Sequence, residues 1–444
     1  MSASGAVWRN WGRTEAVRPK RVERPTSAGA VQRAVIAAAR SGLTIKAVGA
    51  GHSFTGIAVA PGVQLDLDAL TGLVGVDTDR KRVTLAAGTR LFDIPRLLEP
   101  LGLAMPNLGD IDRQSISGAI STGTHGTGSE FTGIAGQVRG AVIVTGDGEL
   151  LRVSDTENAE LLPAVALGLG ALGILVEVTL QCVDAFALHA REVPLPLGGL
   201  LDVAPTSLGS LAERVEASDH FEFYWFPHTR TAVTKTNTRL PATGELRPLT
   251  PLARFTEDVA LTNGVYRATC AAAVALPGII PRVNGMAERL MGNREFSDRS
   301  HRVFATRRTV RFREMEYAIP AESVPDALRD VMRLIDDRGW RISFPVEVRF
   351  ARSDDLWMST AYGRESGYIA VHRYYREDPT EYFSAVEEIM LGYGGRPHWG
   401  KMHTRDSTAL RDMYPRYDDF LAVRDRLDPQ RVFANPYLNR VLGE

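Results

Sequence analysis

The chain has 444 residues, 44% hydrophobic and 24% charged, which leaves room for two or three folded domains and excludes a disordered, collagenous or coiled-coil chain. Lys and Arg number 52 against 53 Asp and Glu, so the formal net charge is −1 and no overall field draws nucleic acid or an anionic membrane. The two cysteines, Cys182 and Cys270, lack the spacing of a zinc site or a disulfide framework; both read as small buried hydrophobes, and no metal is expected.

Met1 to Lys20 holds no continuous apolar segment that could serve as a signal peptide, so a cytoplasmic protein is expected. Pro25, Thr26 and Ser27 then precede Val31, Ala34, Val35 and Ala38, with Gly42 beyond, the pattern of a capped amphipathic helix. Leu43–Val48, Val63–Leu67 and Val83–Ala87 read as short strands, with Asp77–Arg82 a polar turn, and Leu91–Leu101 as a second helix. Gln137–Val144 and Glu149–Val153 flank Gly146-Asp147-Gly148 as a hairpin, and Gly173–Val183 is a further strand. The mixture is α+β and rich in antiparallel pairs.

From Asp184 the texture shifts to long strand-like runs, Phe221–Phe226, Val303–Phe312, Ile342–Phe350 and Tyr368–Tyr375, as in a second domain. Pro241–Pro251 is turn-prone, Ala385–Leu391 looks helical, and a helix over Asp418–Leu427 is stopped by Asp428-Pro429. The apolar stretch Ala268–Pro281 is about half a membrane span and is broken at Pro277. It is no transmembrane helix, though it leaves a peripheral membrane contact open. No internal repeat or low-complexity tract is present.

Three glycine-rich segments invite a chemical reading. Gly168-Leu169-Gly170-Ala171-Leu172-Gly173 matches the dinucleotide-binding string, but that string needs a strand before it and a helix after it. Here the expected order is reversed, which argues against a nicotinamide site. Gly49-Ala50-Gly51-His52-Ser53 follows a strand, where glycine lets backbone amides approach a phosphate or a ring. Ser117 to Gly128 is a longer loop of small residues and hydroxyls suited to cradling a pyrophosphate. Two tight turns with capping hydroxyls are the alternative, and the embedded His52 and His125 tilt the reading away from it.

Together the loops at 49–53 and 117–128 and the Leu169–Leu180 segment resemble the FAD domain of vanillyl-alcohol-oxidase-type oxidoreductases. Glu347-Val348-Arg349 and His398-Trp399-Gly400-Lys401 resemble the sugar-lactone and alditol branch of that superfamily, and the likeness runs from about Trp8 to Leu442. It implies a two-domain FAD-binding (VAO/PCMH-type) fold with an antiparallel-sheet cap. Residues 1–183 would bind FAD, 184–410 would form the substrate or cap domain, and 411–444 would pack back on the FAD domain. The resemblance also implies a covalent bond from His52 to the flavin 8α-methyl, for which a neutral imidazole is a fitting nucleophile. It makes Gly49, Ala50, Gly51, Ser53, Ser117, Thr122, Gly123, Gly126 and Ile174 FAD contacts.

On the substrate side, alternation puts Phe344, Val346, Val348 and Phe350 on one strand face, with Glu347 and Arg349 together on the other. The carboxylate can accept two hydroxyl hydrogen bonds, and the guanidinium fork can hold a lactone oxygen or a reduced-flavin anion. Taken alone, the pair reads as a surface ion pair worth well under about 1 kcal/mol. Tyr368, Ala370, His372 and Tyr374 likewise share a face, and the resemblance makes His372 a proton acceptor. The lysines are Lys20, Lys46, Lys81, Lys235 and Lys401; in a chain that otherwise writes its cations as arginine, Lys401 after a His-Trp-Gly turn points to a compact ammonium that polarises a hydroxyl or the flavin. Phe221, Phe223, Tyr224, Trp225 and Phe226 read as sheet core, with Tyr224 the one to line a pocket. His125, His398 and His403 read as structural residues or as supports behind the side chains that touch a ligand.

The resemblance implies FAD-dependent oxidation of a sugar-1,4-lactone of the L-gulono or D-arabinono type. Hydride would leave the carbinol carbon beside the carbonyl for flavin N5, with Glu347, Arg349, His372 and Lys401 assisting, and the product would become an ascorbate-type compound. Oxygen, a cytochrome or a quinone would take the electrons. An alditol oxidase acting on xylitol or sorbitol is the alternative within the fold; a non-catalytic sugar-binding protein and a nicotinamide dehydrogenase are the alternatives outside it.

Overall fold

A computed structural model describes residues 6–202, 210–250, 271, 276–290, 293–306 and 310–444. The first expected helix forms at Ala28–Arg40, with Val31, Ala34, Val35 and Ala38 buried and the Ser27 hydroxyl accepting from the Ala30 N–H. Arg21–Glu23, Val63–Asp66 and Ile45–Val48 form a three-stranded sheet whose pairs are parallel. A five-stranded sheet follows, ordered Leu150–Ser154, Val138–Val144, Ile174–Gln181, Arg82–Ala86 and Leu73–Asp77, and all its pairs are antiparallel. Leu91–Leu101 is helical only over Ile94–Leu98, with a 3₁₀ turn at Glu99–Leu101.

The second half is organised by an eight-stranded antiparallel sheet, ordered Arg294–Arg299, Phe186–Pro196, Thr231–Pro241, His220–Trp225, Val346–Ala351, Ser366–Tyr374, Phe312–Pro320 and Arg396–Pro397. Alternation divides its side chains. Phe221, Phe223, Trp225, Met315, Tyr317, Val346, Val348, Ile369 and Val371 pack in one core cluster with residues of the helices Val324–Asp337 and Thr380–Gly392. The intervening residues, among them Glu222, Tyr224, Glu314, Glu316, Glu347, Arg349 and His372, point the other way, and of these only Tyr224 is not fully buried.

Two expected strands differ from the observed ones. Val303–Phe312 begins as the helix Ser300–Phe304, because Val303 and Phe304 turn inward to pack with the core of the first half; residues 307–309 lie outside the described residues, and the strand runs from Phe312. Ile342–Phe350 is strand only from Val346, because Pro345 has no N–H to give to a ladder. Cys182 is buried, and burial pushes its thiol up to about 12; Cys270 lies outside the described residues. So does half of Ala268–Pro281, whose described end forms a 3₁₀ turn at Pro277–Ile279 leading into the helix Ile280–Leu290. Among the described residues no helix is long and apolar enough to cross a membrane.

The C-terminal segment lies against the first half. Ile45 N–H donates to Val432 O at 2.8 Å. Asn435 caps the helix Pro436–Leu442 and sends its amide to the carbonyls of Gly56, Ile57 and Val59 at 3.0, 3.1 and 2.9 Å. Removing that side chain leaves several buried backbone groups unpaired, so Asn435→Ala should cost about 2–4 kcal/mol. The check is the urea midpoint of the first unfolding transition, which should fall; an unchanged midpoint would contradict this assignment.

Candidate active site

Two clefts meet at the loop that follows the strand Ile45–Val48. The first is lined by Gly49, Ala50, Gly51, His52, Ser53, Ser115, Ser117, Thr122 and Ile174, and by Leu169, Gly170 and Gly173 of the discounted glycine string. That string precedes its strand, as expected, but still bends across the cleft, with Leu169 at φ +55° and Gly170 at φ +61°. Gly51 sits at φ +67°, and a Cβ on Gly49 would lie 2.5 Å from Ser115 Oγ, so the loop passes its neighbours with no room for side chains. Hydroxyls and bare backbone here fit a diphosphate and a flat ring. Lys46, buried at the base of this cleft, donates to Gly170 O at 2.7 Å; burial and then Arg424 push its ammonium down to about 7.

The second cleft shares His52, Ser53, Gln114 and Thr122 with the first. Its far wall is the inward face of the eight-stranded sheet: Glu314, Glu316, Glu347, Arg349 and His372. Lys401, His398, His125, Asp110 and Trp11 complete it. Backbone contacts fix the turn at 398–402 between two elements. His398 N and Met402 N donate to the carbonyls of Glu316 and Glu314 at 3.0 and 2.9 Å, while Phe54 N donates to Gly400 O at 2.7 Å and Thr55 Oγ1 to Trp399 O at 3.0 Å. Trp399 is fully buried and anchors the turn by donating Nε1–H to Met358 O at 2.7 Å. Lys401 and His52 are therefore held by one seam.

The charged groups sort into two sets. In one, Arg349 Nε pairs with Glu222 at 3.0 Å and its Nη2 with Asp110 at 2.7 Å and with Glu347, while Lys235 pairs with Glu222 at 3.1 Å. Tyr224 OH donates to Asp110 at 3.3 Å and to Glu347 at 3.5 Å. The expectation that the Arg349 fork grips substrate or flavin is thus altered: two of its three nitrogens already serve carboxylates. In the other set, Glu314 lies 3.5 Å from His372 Nε2 and against Lys401 Nζ, and Glu316 lies 3.4 Å from His125 Nε2. Burial alone would raise both carboxylic acids. Lys401 and His372 instead hold Glu314 down at about 2, and His125 and Lys401 hold Glu316 well below the usual range.

Histidine tautomers follow from the partners. A carbonyl can only accept, so His372 Nδ1–H donates to Pro345 O at 2.9 Å, which leaves Nε2 as the ring nitrogen facing Glu314. His52 stacks on Trp11 with ring centroids 5.5 Å apart, and burial, then Lys401, Arg90 and Arg113, push it down to about 4. It is a neutral imidazole near pH 7. His125, Glu316 and His398 each offer a donor atom within 4.8 Å of the others, but the His398 Nδ1 lone pair is taken by Gly400 N–H at 3.0 Å and the nearby Lys401 opposes a second cation.

Of the residues expected from sequence, Gly49, Ala50, Gly51, His52, Ser53, Ser117, Thr122 and Ile174 line the first cleft, and Glu347, Arg349, His372 and Lys401 all line the second. Gly123 and Gly126 line neither. Gly123 faces the Leu167 side chain, and a Cβ on Gly126 would lie 2.2 Å from Leu108 O, so its smallness serves packing. His125 and His398, read as structural or as supports behind the site, line the second cleft, whereas His403 does not. Sequence reasoning missed Glu314, Glu316, Asp110, Trp11 and Lys46. The two glutamates sit at i and i+2 in an alternating strand, the same signal that singled out Glu347 and Arg349.

Residues 178–441 match the family model described as D-arabinono-1,4-lactone oxidase, and residues 19–154 match that of an FAD binding domain. The chain is 41% identical over 437 residues to L-gulono-1,4-lactone dehydrogenase of Mycobacterium tuberculosis, covering 98% of this chain and 99% of that protein. It is 32% identical to L-gulonolactone oxidase of Bos taurus, covering 98% of each. Among solved structures, cholesterol oxidase from B. sterolicum matches with a TM-score of 0.83 at 18% identity, over 100% of this chain and 97% of that one, a likeness of fold alone.

Removing Arg349 takes a cation from Glu347 and Asp110 and leaves Glu222 to Lys235, so burial is less opposed and the folded-state pKa values of these carboxylates move up. A raised carboxylate favours folding only while protonated and opposes it as pH climbs through the raised value. Arg349→Met should therefore lose more thermal stability at about pH 8 than at about pH 5 relative to the parent. A deficit equal at both would contradict the buried pairing.

Proposed function

The chain belongs to the D-arabinono-1,4-lactone oxidase family, and from that premise we propose that its charged cleft oxidises a sugar 1,4-lactone of the L-gulono or D-arabinono type. It is an FAD-linked oxidoreductase acting on a CH–OH group. In this reading residues 1–183 bind FAD, 184–410 form the cap that holds substrate, and 411–444 brace the FAD domain. The observation that carries it is the position of His52, a neutral imidazole where the two clefts join, opposite a sheet face that presents Glu347, His372 and Lys401.

FAD, when bound, supplies the ring that accepts a hydride. The protein does the rest. Gly49, Ala50, Gly51, Ser53, Ser117, Thr122 and Ile174 hold the cofactor, and His52 tethers it through a ring nitrogen, for which an uncharged imidazole is required. Glu347 accepts hydrogen bonds from lactone hydroxyls, and Arg349 keeps that carboxylate ionised and aimed. The Lys401 ammonium polarises the hydroxyl on the carbon beside the lactone carbonyl, and His372 Nε2 takes its proton. A half-buried ammonium next to a developing alkoxide is screened less than in bulk water, so the contact is worth more there. For L-gulono-1,4-lactone the oxidised product becomes ascorbate, and an external oxidant takes the electrons.

The purified protein should be yellow, and the colour should stay with an acid-precipitated pellet; in His52→Ala it should pass to the supernatant. Colour retained in the variant's pellet would remove His52 as the tether. Lys401→Met and Glu347→Gln should each lower lactone turnover by about 100-fold or more in protein that is still folded and flavin-loaded at the assay temperature, a loss beyond that of the stability each gives up with its ion pair, since both act on the reacting group or its orientation. Turnover on xylitol or sorbitol that exceeds turnover on the lactones would overturn the substrate class.

A further inference from the structure

Glu314 has no part in the chemistry above, yet three contacts converge on it. Its position in the strand Phe312–Pro320 is directly opposite His372 in the neighbouring strand. Its carboxylate divides between His372 Nε2, at 3.5 Å, and the Lys401 ammonium. Its backbone carbonyl accepts Met402 N–H at 2.9 Å, next to Lys401 in the chain. The residue is 5% exposed, so water contributes little to any of these interactions.

The neighbouring charges make this placement consequential. His372 gains a positive charge when its Nε2 takes a proton, and that charge forms in a cavity already holding Lys401 and Arg349. Arg349 is compensated by Asp110, Glu222 and Glu347. Glu316, on the same strand, is turned to His125 and His398, and His52 beyond them is neutral. Glu314 is the carboxylate within ion-pair reach of both His372 and Lys401 among the described residues. Without it, the ammonium would repel the nascent imidazolium.

We propose that Glu314 is a positioning residue for the oxidation: it fixes the Lys401 ammonium and the His372 imidazole relative to one another and offsets the charge that forms on His372. The inference rests on reading His372 as the proton acceptor. No proton passes to Glu314 itself; the proton from the substrate hydroxyl rests on His372 Nε2 and leaves from there to solvent. The carboxylate acts by holding both groups in place and by its field.

The test measures anaerobic reduction of the flavin by saturating lactone across pH, in the parent, Glu314→Gln, Glu314→Asp and His372→Gln, with flavin content and circular dichroism as folding controls. Loss of a nearby negative charge favours the neutral imidazole, so in Glu314→Gln the rising limb of the rate against pH should move down by about one unit and the limiting rate should fall by roughly tenfold or more. Glu314→Asp keeps the charge and should keep the limb near its parental position while losing rate. Should Glu314→Gln not accumulate as folded protein, Glu314→Asp decides: parental rate and limb together overturn the proposal. A limb that survives in His372→Gln sinks the proton-acceptor reading itself. A limb that vanishes in His372→Gln but stays put at parental rate in Glu314→Gln sinks only the role of Glu314.

Discussion

Both faces of the eight-stranded sheet are covered, and that burial governs the rest of the molecule. One face meets helices and is satisfied by apolar packing. The other carries Glu222, Glu314, Glu316, Glu347 and Arg349 at 9% exposure or less, and buried charge is tolerated only when paired. Arg349 and Lys235 serve one group of acids, Lys401 and two histidines the other. The result is a chamber with ionised walls and little water, where hydroxyls of a sugar find acceptors and a developing negative charge finds an ammonium.

That chamber would be chemically idle if it lay apart from the cofactor cleft. The seam at residues 398–402 prevents this. It is hydrogen-bonded on one side to the strand carrying Glu314 and Glu316, and on the other to Phe54 and Thr55, just beyond His52. Lys401 thus belongs to two circuits: it helps hold Glu314 as a carboxylate and helps keep His52 uncharged. A single cation, placed by backbone bonds, thus acts on both His52, the proposed tether, and the carboxylate that faces His372, the proposed proton acceptor.

Much of this was legible in the sequence because it depends on local chemistry. The capped helix after Ser27, the hairpin around Gly146 to Gly148, and the loop at 49–53 follow from turn and cap residues that act over a few positions. The shared face of Glu347 and Arg349 follows from strand alternation alone. What stayed hidden depends on partners far away in the chain. Glu314 gains its meaning from a cross-strand neighbour 58 residues later and a turn still further on, and the strand that holds it was placed too early because Val303 and Phe304 belong to a helix. The Arg349 fork looked free because Asp110 and Glu222 reach it from other elements.

The central claim is that a sugar lactone enters the ionised chamber and gives up a hydride from the carbon beside its carbonyl. Anaerobic stopped-flow mixing of the flavin-loaded enzyme with lactone, and with lactone deuterated at that carbon, tests it most directly. The account predicts that the visible flavin band bleaches in a single turnover and that deuteration slows the bleaching. A band that persists through saturating lactone, or bleaching indifferent to deuterium at that carbon, would contradict it.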